Sequence, residues 1–137
     1  ELTGAGVMEC KRAFEKSNGD LDQAVKIIHE QGIIKAESKK ERKTGAGFLE
    51  SYVHNGRVGV LLELRSETDF VAKSKPFRDL AHELAMQISA MAPNDIKEFL
   101  SQPYIKDEAM TVEQVIKRVI GQVGENIQIE KFCRYEL

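Results

Sequence analysis

The strongest constraint on the fold is an apolar stripe at helical spacing in the middle of the chain. Its members recur every three or four residues: Phe77, Leu80, Ala81, Leu84, Ala85, Ile88 and Met91. Ser74 is placed to cap this helix, Pro76 fits its first turn, where a missing N–H does no harm, and Pro93 ends it. A helix with so wide an apolar face must cover another element of the fold.

The element under this helix is predicted to be a β-hairpin just before it in the chain. Asn55-Gly56 is the residue pair most typical of a two-residue type I′ turn. One face of the returning strand alternates regularly: Val58, Val60, Leu62 and Leu64. A two-residue loop places Val53 opposite Val58. The same register places Leu49 opposite Leu62, so we expect Leu49 and Val53 to share the apolar face.

Two further segments complete the predicted core. A capping box of Thr111 and Gln114 opens a second amphipathic helix, which is expected to end between Gly121 and Gly124. Its apolar positions are Val112, Val115, Ile116, Val119 and Ile120. Residues 127–135 are typical of a third strand, whereas residues 94–110 are predicted to be irregular. We therefore expect an α+β core over residues 47–137, in which helices pack on a three-stranded antiparallel sheet.

Residues 1–33 are predicted to form a small N-terminal helical domain that is incomplete at its start. A first helix follows a turn at residues 3–6, and Asp20 is expected to cap a second helix. Gly32 lies where a glycine just past the end of that helix would stop it. Basic residues dominate residues 34–46, which we interpret as a linker or as a helix extension toward the core.

Composition and charge argue against several classes of function. The 137 residues carry a formal net charge of −2, so no bulk attraction to nucleic acid is expected. No apolar run approaches the roughly 20 residues that span a bilayer. Cys10 and Cys133 are too few for a disulfide framework and lack metal-ligand spacing with the histidines, so we expect a reducing compartment and no zinc site. With no phosphate loop and no catalytic triad motif, we expect neither an enzyme nor a cofactor.

Residues 67–72 are unusual for a turn between a strand and a helix. Such a turn is normally polar, yet Phe70 lies in it beside Asp69. Phe70 either folds back to fill the core or stands out as a wedge for a partner's pocket. Gly124 likewise either ends a helix or lets a partner backbone approach closely. Lys11 is either a solvated side chain or a contact residue.

Four separated motifs resemble the translation elongation factor Ts family of bacterial type, in the family's order. They are TGAGVMECK at residues 3–11, ETDFVA at 67–72, VGENI at 123–127 and FCRYE at 132–136. The resemblance implies a ubiquitin-associated-like fold for the N-terminal helices. It also implies a guanine nucleotide exchange factor that binds the GDP form of elongation factor Tu, displaces its magnesium ion and speeds the loss of GDP.

The resemblance further implies which residues meet that partner. The segment that dislodges the magnesium ion would consist of Thr68, Asp69, Phe70 and Val71. Other matching contact positions are Lys11, Val123 and Gly124. Family members work in the cytoplasm or in an organellar matrix or stroma. They usually carry a longer segment than this chain has between Asn94 and Tyr104.

Two alternatives from other classes stay open. The N-terminal helices could bind ubiquitin-like proteins and be joined to an unrelated α+β domain. The chain could also be a small enzyme with dispersed residues, which would show a buried titratable cluster in a pocket. Cys133 lies on a predicted edge strand, which would allow a homodimer.

Overall fold

The computed structural model describes residues 5–137, so the Thr3-Gly4 part of the predicted first turn lies outside the described residues. The elements in chain order are α1 (Val7–Lys16), α2 (Leu21–Glu37), β1 (Ala46–His54), β2 (Val58–Ser66), α3 (Asp69–Ala72), α4 (Lys75–Met91), α5 (Ile96–Ser101), β3 (Pro103–Tyr104), β4 (Asp107–Thr111), α6 (Val112–Val123) and β5 (Ile127–Glu136). Strands β1, β2 and β5 form one antiparallel sheet in the order β1-β2-β5, and β3 pairs with β4. This confirms the predicted α+β class.

The N-terminal helices pack on each other through a small apolar contact. Its buried members are Ala13, Ala24 and Ile28. Asp20 caps α2 as predicted, because its carboxylate accepts a hydrogen bond from the Gln23 N–H at 3.2 Å. A salt bridge of 2.8 Å between Glu9 and Lys35 ties the start of α1 to the last turns of α2. A ubiquitin-associated-like identity for this pair stays a prediction.

Gly32 does not end α2, which corrects the sequence-based expectation. The helix continues to Glu37, and Gly32 lies buried where α2 crosses α6. A Cβ atom built on Gly121 of α6 would lie only 2.5 Å from the Gly32 carbonyl oxygen. The close approach of the two helices therefore requires a glycine at position 121, and Gly32 lies within its helix at the crossing rather than at a left-handed cap. The first residues of the predicted linker 34–46 are helical, and the division at residue 33 stays a prediction.

The hairpin has a register one residue away from the predicted one. Val53 lies opposite Gly59 rather than Val58, and Leu49 lies opposite Glu63 rather than Leu62. Arg57 is left out of the β1 ladder, so the loop is longer than two residues, although the Arg57 N–H still bonds the His54 carbonyl at 3.0 Å. Because side chains alternate across a sheet, this slip moves Leu49 and Val53 to the solvent face. Their exposed fractions are 61 % and 66 %.

The physical reason for this register is the size of the side chains that it buries. It turns Phe48 and Tyr52 toward α4, where they pack against the main core. The Arg78 guanidinium lies 3.5 Å from the centre of the Phe48 ring. Tyr52 meets His82 edge to face, with ring centres 5.8 Å apart. Two aromatic rings bury more apolar area than Leu49 and Val53 would, which outweighs the preference for a two-residue loop.

The two predicted amphipathic helices and the third strand are confirmed. The stripe of α4 is buried from Phe77 to Ile88, whereas Met91 at its end is exposed. All five predicted apolar positions of α6 are buried, the Thr111–Gln114 capping box is present, and Gly124 takes the left-handed cap position. Strand β5 pairs with the central strand β2 along its whole length. The covering helices and the sheet thus share one continuous core.

Residues 94–110 are not irregular, which is a third correction. Asp95 caps α5 by accepting a hydrogen bond from the Glu98 N–H at 2.7 Å. The Glu98 carboxylate in turn accepts from the Asn94 N–H at 2.8 Å. The short β3–β4 hairpin follows, and the amide of buried Gln87 donates to the Pro103 carbonyl at 3.0 Å. Local capping and a buried polar contact order this segment without any regular apolar period.

Candidate protein-interaction site

The turn after β2 presents one face to solvent and anchors the other in the core. Helix α3 is a single turn, and the Thr68 hydroxyl caps it by accepting from the Val71 N–H at 3.3 Å. Val71 is only 5 % exposed and Ala72 is also buried. Successive residues of a helix point about 100° apart, so burying these two directs Asp69 and Phe70 outward. Phe70 is 85 % exposed, which excludes the interpretation that it fills the core.

The loop between α6 and β5 lies directly against this turn. The Glu125 carboxylate accepts two hydrogen bonds from Thr68, one from its N–H at 3.0 Å and one from its hydroxyl at 2.7 Å. In the opposite direction, the Glu67 carboxylate accepts from the Asn126 N–H at 2.6 Å. We call the two joined loops, residues 67–70 and 123–126, the corner.

The basic segment near residues 40–42 is hydrogen-bonded to the corner through the buried side chain of Asn126. The Asn126 side chain is 2 % exposed, and its amide donates to the carbonyls of Lys40 and Arg42 at 3.4 and 2.9 Å. Arg42 also lies 3.7 Å from the Glu67 carboxylate. The end of the basic segment is therefore held in place by the corner rather than free in solvent. A buried amide with bonded partners of this kind fixes backbone positions.

The structure brings together most of the residues that the sequence singled out. Gly124 has a φ of +79° and its N–H bonds the Ile120 carbonyl at 2.9 Å, while Val123 is half-buried beside it. These two residues and the segment from Thr68 to Phe70 therefore belong to one surface region. Lys11 is exposed on α1, in the N-terminal helical pair, and that pair meets the core through the packing of α2 on α6.

Three residues of the corner were missed as functional candidates: Glu67, Glu125 and Asn126. Glu125 and Asn126 stand in the VGENI motif, but their bonding partners are more than 50 residues away in sequence. No periodicity or capping rule links positions so far apart. The identity of the motif was the only available signal.

The chemistry of the corner suits contact with a protein. Asp69 and the Phe70 ring are exposed together, and exposed aromatic and charged groups on a rigid support are typical anchors of protein interfaces. Within residues 5–137 there is no group of three or more His, Cys, Asp or Glu side chains that could hold a metal ion. The helices of this part of the chain are also too short or too polar to cross a membrane.

A groove between α2, α5, α6 and β5 bears on the enzyme alternative. Its lining is largely apolar, and its titratable groups are Glu37, Lys40, Glu113 and Lys117. Lys117 forms salt bridges with Glu37 and Glu113, and hydrogen bonds to both carboxylates raise the pKa of Lys117. A lysine that acts as a base needs a lowered pKa instead. These groups are therefore an ion-paired rim rather than a buried catalytic cluster.

Comparison with known proteins identifies the family. The elongation factor Ts family model matches residues 67–137, which begin at the corner. The chloroplastic elongation factor Ts of Cyanidioschyzon merolae is 41 % identical over 98 % of this chain and 88 % of its own length. The elongation factor Ts proteins of Rippkaea orientalis and Thermotoga neapolitana are 37 % and 36 % identical over all of this chain and over 74 % and 92 % of their own lengths.

The first two of these relatives align over 184 residues, more than the 137 of this chain, so they carry additional residues within the aligned region. The identity and coverage agree with the motifs at residues 3–11, 67–72, 123–127 and 132–136. The chain therefore belongs to the elongation factor Ts family.

Proposed function

We propose that the chain is a guanine nucleotide exchange factor that binds the GDP form of elongation factor Tu and displaces its magnesium ion. Membership of the elongation factor Ts family supports a role in translation elongation and nucleotide exchange. The observation that carries the finer proposal is the 85 % exposure of Phe70 on a turn whose other side is buried. The proposed activity changes the rate of a binding equilibrium and breaks no covalent bond, so it does not make the chain an enzyme in the usual sense.

The mechanism follows from how GTPases hold GDP. Phosphate contacts and a bridging magnesium ion supply much of the binding energy. We infer that Phe70 enters the partner near its switch region, while Asp69 competes for hydrogen-bond donors there. A shift of that region would misplace the groups around the magnesium ion and lower the affinity of the partner for GDP. By linkage, bound GDP must lower the affinity for the exchange factor by the same factor, so the exchange factor is released once nucleotide rebinds.

The other candidate residues would widen the contact. Val123 and Gly124 adjoin the Phe70 turn, so we propose that they touch the partner in the same docking event. Thr68 and Val71 support Phe70, one as the cap and one as the buried anchor. Lys11 would supply a separate contact from α1.

A homodimer is a further part of the proposal. The outer face of the sheet exposes Leu49, Val53, Leu61 and Tyr135, and Cys133 lies exposed on the same face in the edge strand β5. Exposed apolar surface of this kind marks an interaction surface, and we propose that a second copy covers it. Sedimentation equilibrium tests this, and a monomer at about 100 µM would contradict it.

The chloroplastic and bacterial relatives support a bacterial cytoplasm or a plastid stroma as the location.

The exchange proposal is tested by the release of fluorescent GDP from elongation factor Tu. The wild-type chain should accelerate release, and Phe70→Ala should remove most of that acceleration while the unfolding curve stays within about 0.5 kcal/mol of wild type. Ile105→Ala is the matched control, because it truncates an exposed apolar side chain in the β3–β4 turn. Equal activity of Phe70→Ala and wild type would refute the wedge. Binding to ubiquitin without binding to elongation factor Tu would favour the module alternative.

A further inference from the structure

Thr68 depends on a single carboxylate for two of its hydrogen bonds. Glu125 accepts from the Thr68 N–H at 3.0 Å and from the Thr68 hydroxyl at 2.7 Å. Both oxygens of the carboxylate are used, one for each donor. Bonds to an ionised acceptor are shorter and stronger than neutral ones, so this pair of bonds is a strong attachment of the Phe70 turn outside the core.

Glu125 also decides how the Thr68 hydroxyl is oriented. A hydroxyl carries one hydrogen, and here that hydrogen points to Glu125. Its lone pairs are then free to accept the Val71 N–H at 3.3 Å, which is the bond that caps α3. A helix of one turn gains little from its own hydrogen bonds, so its direction depends on the cap and on the buried side of the turn. Glu125 thereby fixes the element that carries Asp69 and Phe70.

Each of the two loops supplies a carboxylate that accepts a hydrogen bond from a backbone N–H of the other loop. Glu125 of the second loop holds the backbone N–H of Thr68, and Glu67 of the first loop holds the backbone N–H of Asn126. Neither loop can rotate alone without breaking a charge-assisted bond. The Glu67 half continues through Asn126 to the carbonyls of residues 40 and 42, whereas the Glu125 half ends on Thr68. Glu125 can therefore be removed while the Glu67 bond to the second loop is kept.

We propose that Glu125 is a positioning residue for nucleotide exchange, which acts by holding the Thr68 cap so that Phe70 and Asp69 point at the partner. The inference rests on the proposed exchange function and extends it to a residue outside the magnesium-displacing segment. Glu125 acts through Phe70 and Asp69, so the part of its effect that passes through Phe70 must disappear when the Phe70 ring is absent. A residue that contacts the partner independently would instead give additive effects.

The test combines a double-mutant cycle with a structural readout. Glu125→Ala should lower the saturating rate of GDP release about tenfold, which corresponds to about 1.4 kcal/mol, with little change in the concentration needed for half-saturation. The same substitution in a Phe70→Ala background should change the rate less than about twofold. Amide hydrogen exchange at Val71, measured by NMR on the free protein, should become faster in Glu125→Ala, because the cap is loosened.

Two further variants sharpen the outcome. Glu125→Gln can still accept from the Thr68 N–H and can donate to the Thr68 hydroxyl, so it should recover most of the lost rate. Glu130→Ala removes an exposed glutamate of β5 and should behave as wild type. Unchanged protection of Val71 in Glu125→Ala would overturn the positioning role whatever the exchange rate. Faster Val71 exchange with an unaltered release rate would overturn it while Phe70→Ala still tests the proposed function. A wild-type chain that does not accelerate GDP release would refute both.

Discussion

The crossing of α2 and α6 gives a sharp prediction, because two facing glycines should respond to alanine with opposite signs. A Cβ on Gly121 would lie 2.5 Å from the Gly32 carbonyl oxygen and 2.7 Å from its carbonyl carbon. A Cβ on Gly32 would lie 3.6 Å from the Arg118 carbonyl oxygen, which is an ordinary contact. Gly121→Ala therefore meets fixed backbone, whereas Gly32→Ala finds room.

The magnitudes follow from these distances. Carbon atoms in contact sit about 3.5 to 4.0 Å apart, so Gly121→Ala forces the helices apart by roughly 1 Å. Overpacking of this kind costs up to about 3 kcal/mol, and removing a glycine from a helix interior recovers about 1 kcal/mol. We expect Gly121→Ala to lose about 2 kcal/mol of unfolding free energy. Gly32→Ala keeps the propensity gain alone and should be more stable than wild type by up to about 1 kcal/mol.

Urea denaturation followed by circular dichroism measures both variants. With a urea dependence of about 2 kcal/mol per molar, the midpoint should fall by about 1 M in Gly121→Ala and rise in Gly32→Ala. Hydrogen exchange of the α2 amides should speed up in Gly121→Ala, since the helix pair loosens at the crossing. Equal stability of Gly121→Ala and wild type, or loss of stability in both variants, would show that the helices do not approach as closely as described.

Two other predictions concern the core and pH. Leu84→Asp puts a carboxylate at a fully buried position and should cost at least about 3 kcal/mol or abolish cooperative unfolding. Leu49→Asp on the outer face of the sheet should cost the monomer less than about 1 kcal/mol. Urea denaturation of both variants, at a concentration at which the chain is monomeric, checks the observed register, and a large loss in Leu49→Asp would contradict it. Burial, and next the charge of Arg118, lower the pKa of His29 below its usual 6.5. The unfolded chain therefore binds the proton more readily, and the free energy of unfolding should fall as pH drops below about 6.5. His29→Gln should remove this part of the pH dependence when denaturation at about pH 7.5 and at about pH 5 is compared, and the same change in unfolding free energy in the variant and in wild type would refute it.

Patterns confined to one element were readable from the sequence. The stripe of α4, the capping box of α6 and the third strand were all predicted, because each depends on spacing within a single helix or strand. The capping pair Asp95 and Glu98 carried the same kind of local signal for α5, but the lack of an apolar period in that segment obscured it.

Features set by contacts between distant elements were not readable. Both faces of β1 are apolar, so periodicity alone could not choose between Leu49 with Val53 and Phe48 with Tyr52; the packing of α4 decides it. From the sequence alone, Gly32 fits a helix end as well as a helix crossing, and only the position of α6 in the structure distinguishes the two. The exposure of Phe70 likewise depends on which neighbours the core buries.

The hydrogen bonds between the two loops of the corner bear on how many residues the chain can carry between them. The bonds between Thr68 and Glu125 close a stretch of 57 positions that contains α3, α4, α5, β3, β4 and α6. The entropy of closing a loop grows only with the logarithm of its length, so doubling that stretch would cost about 0.6 kcal/mol. We therefore expect residues added to the loops of this stretch to cost the contact between Thr68 and Glu125 little free energy.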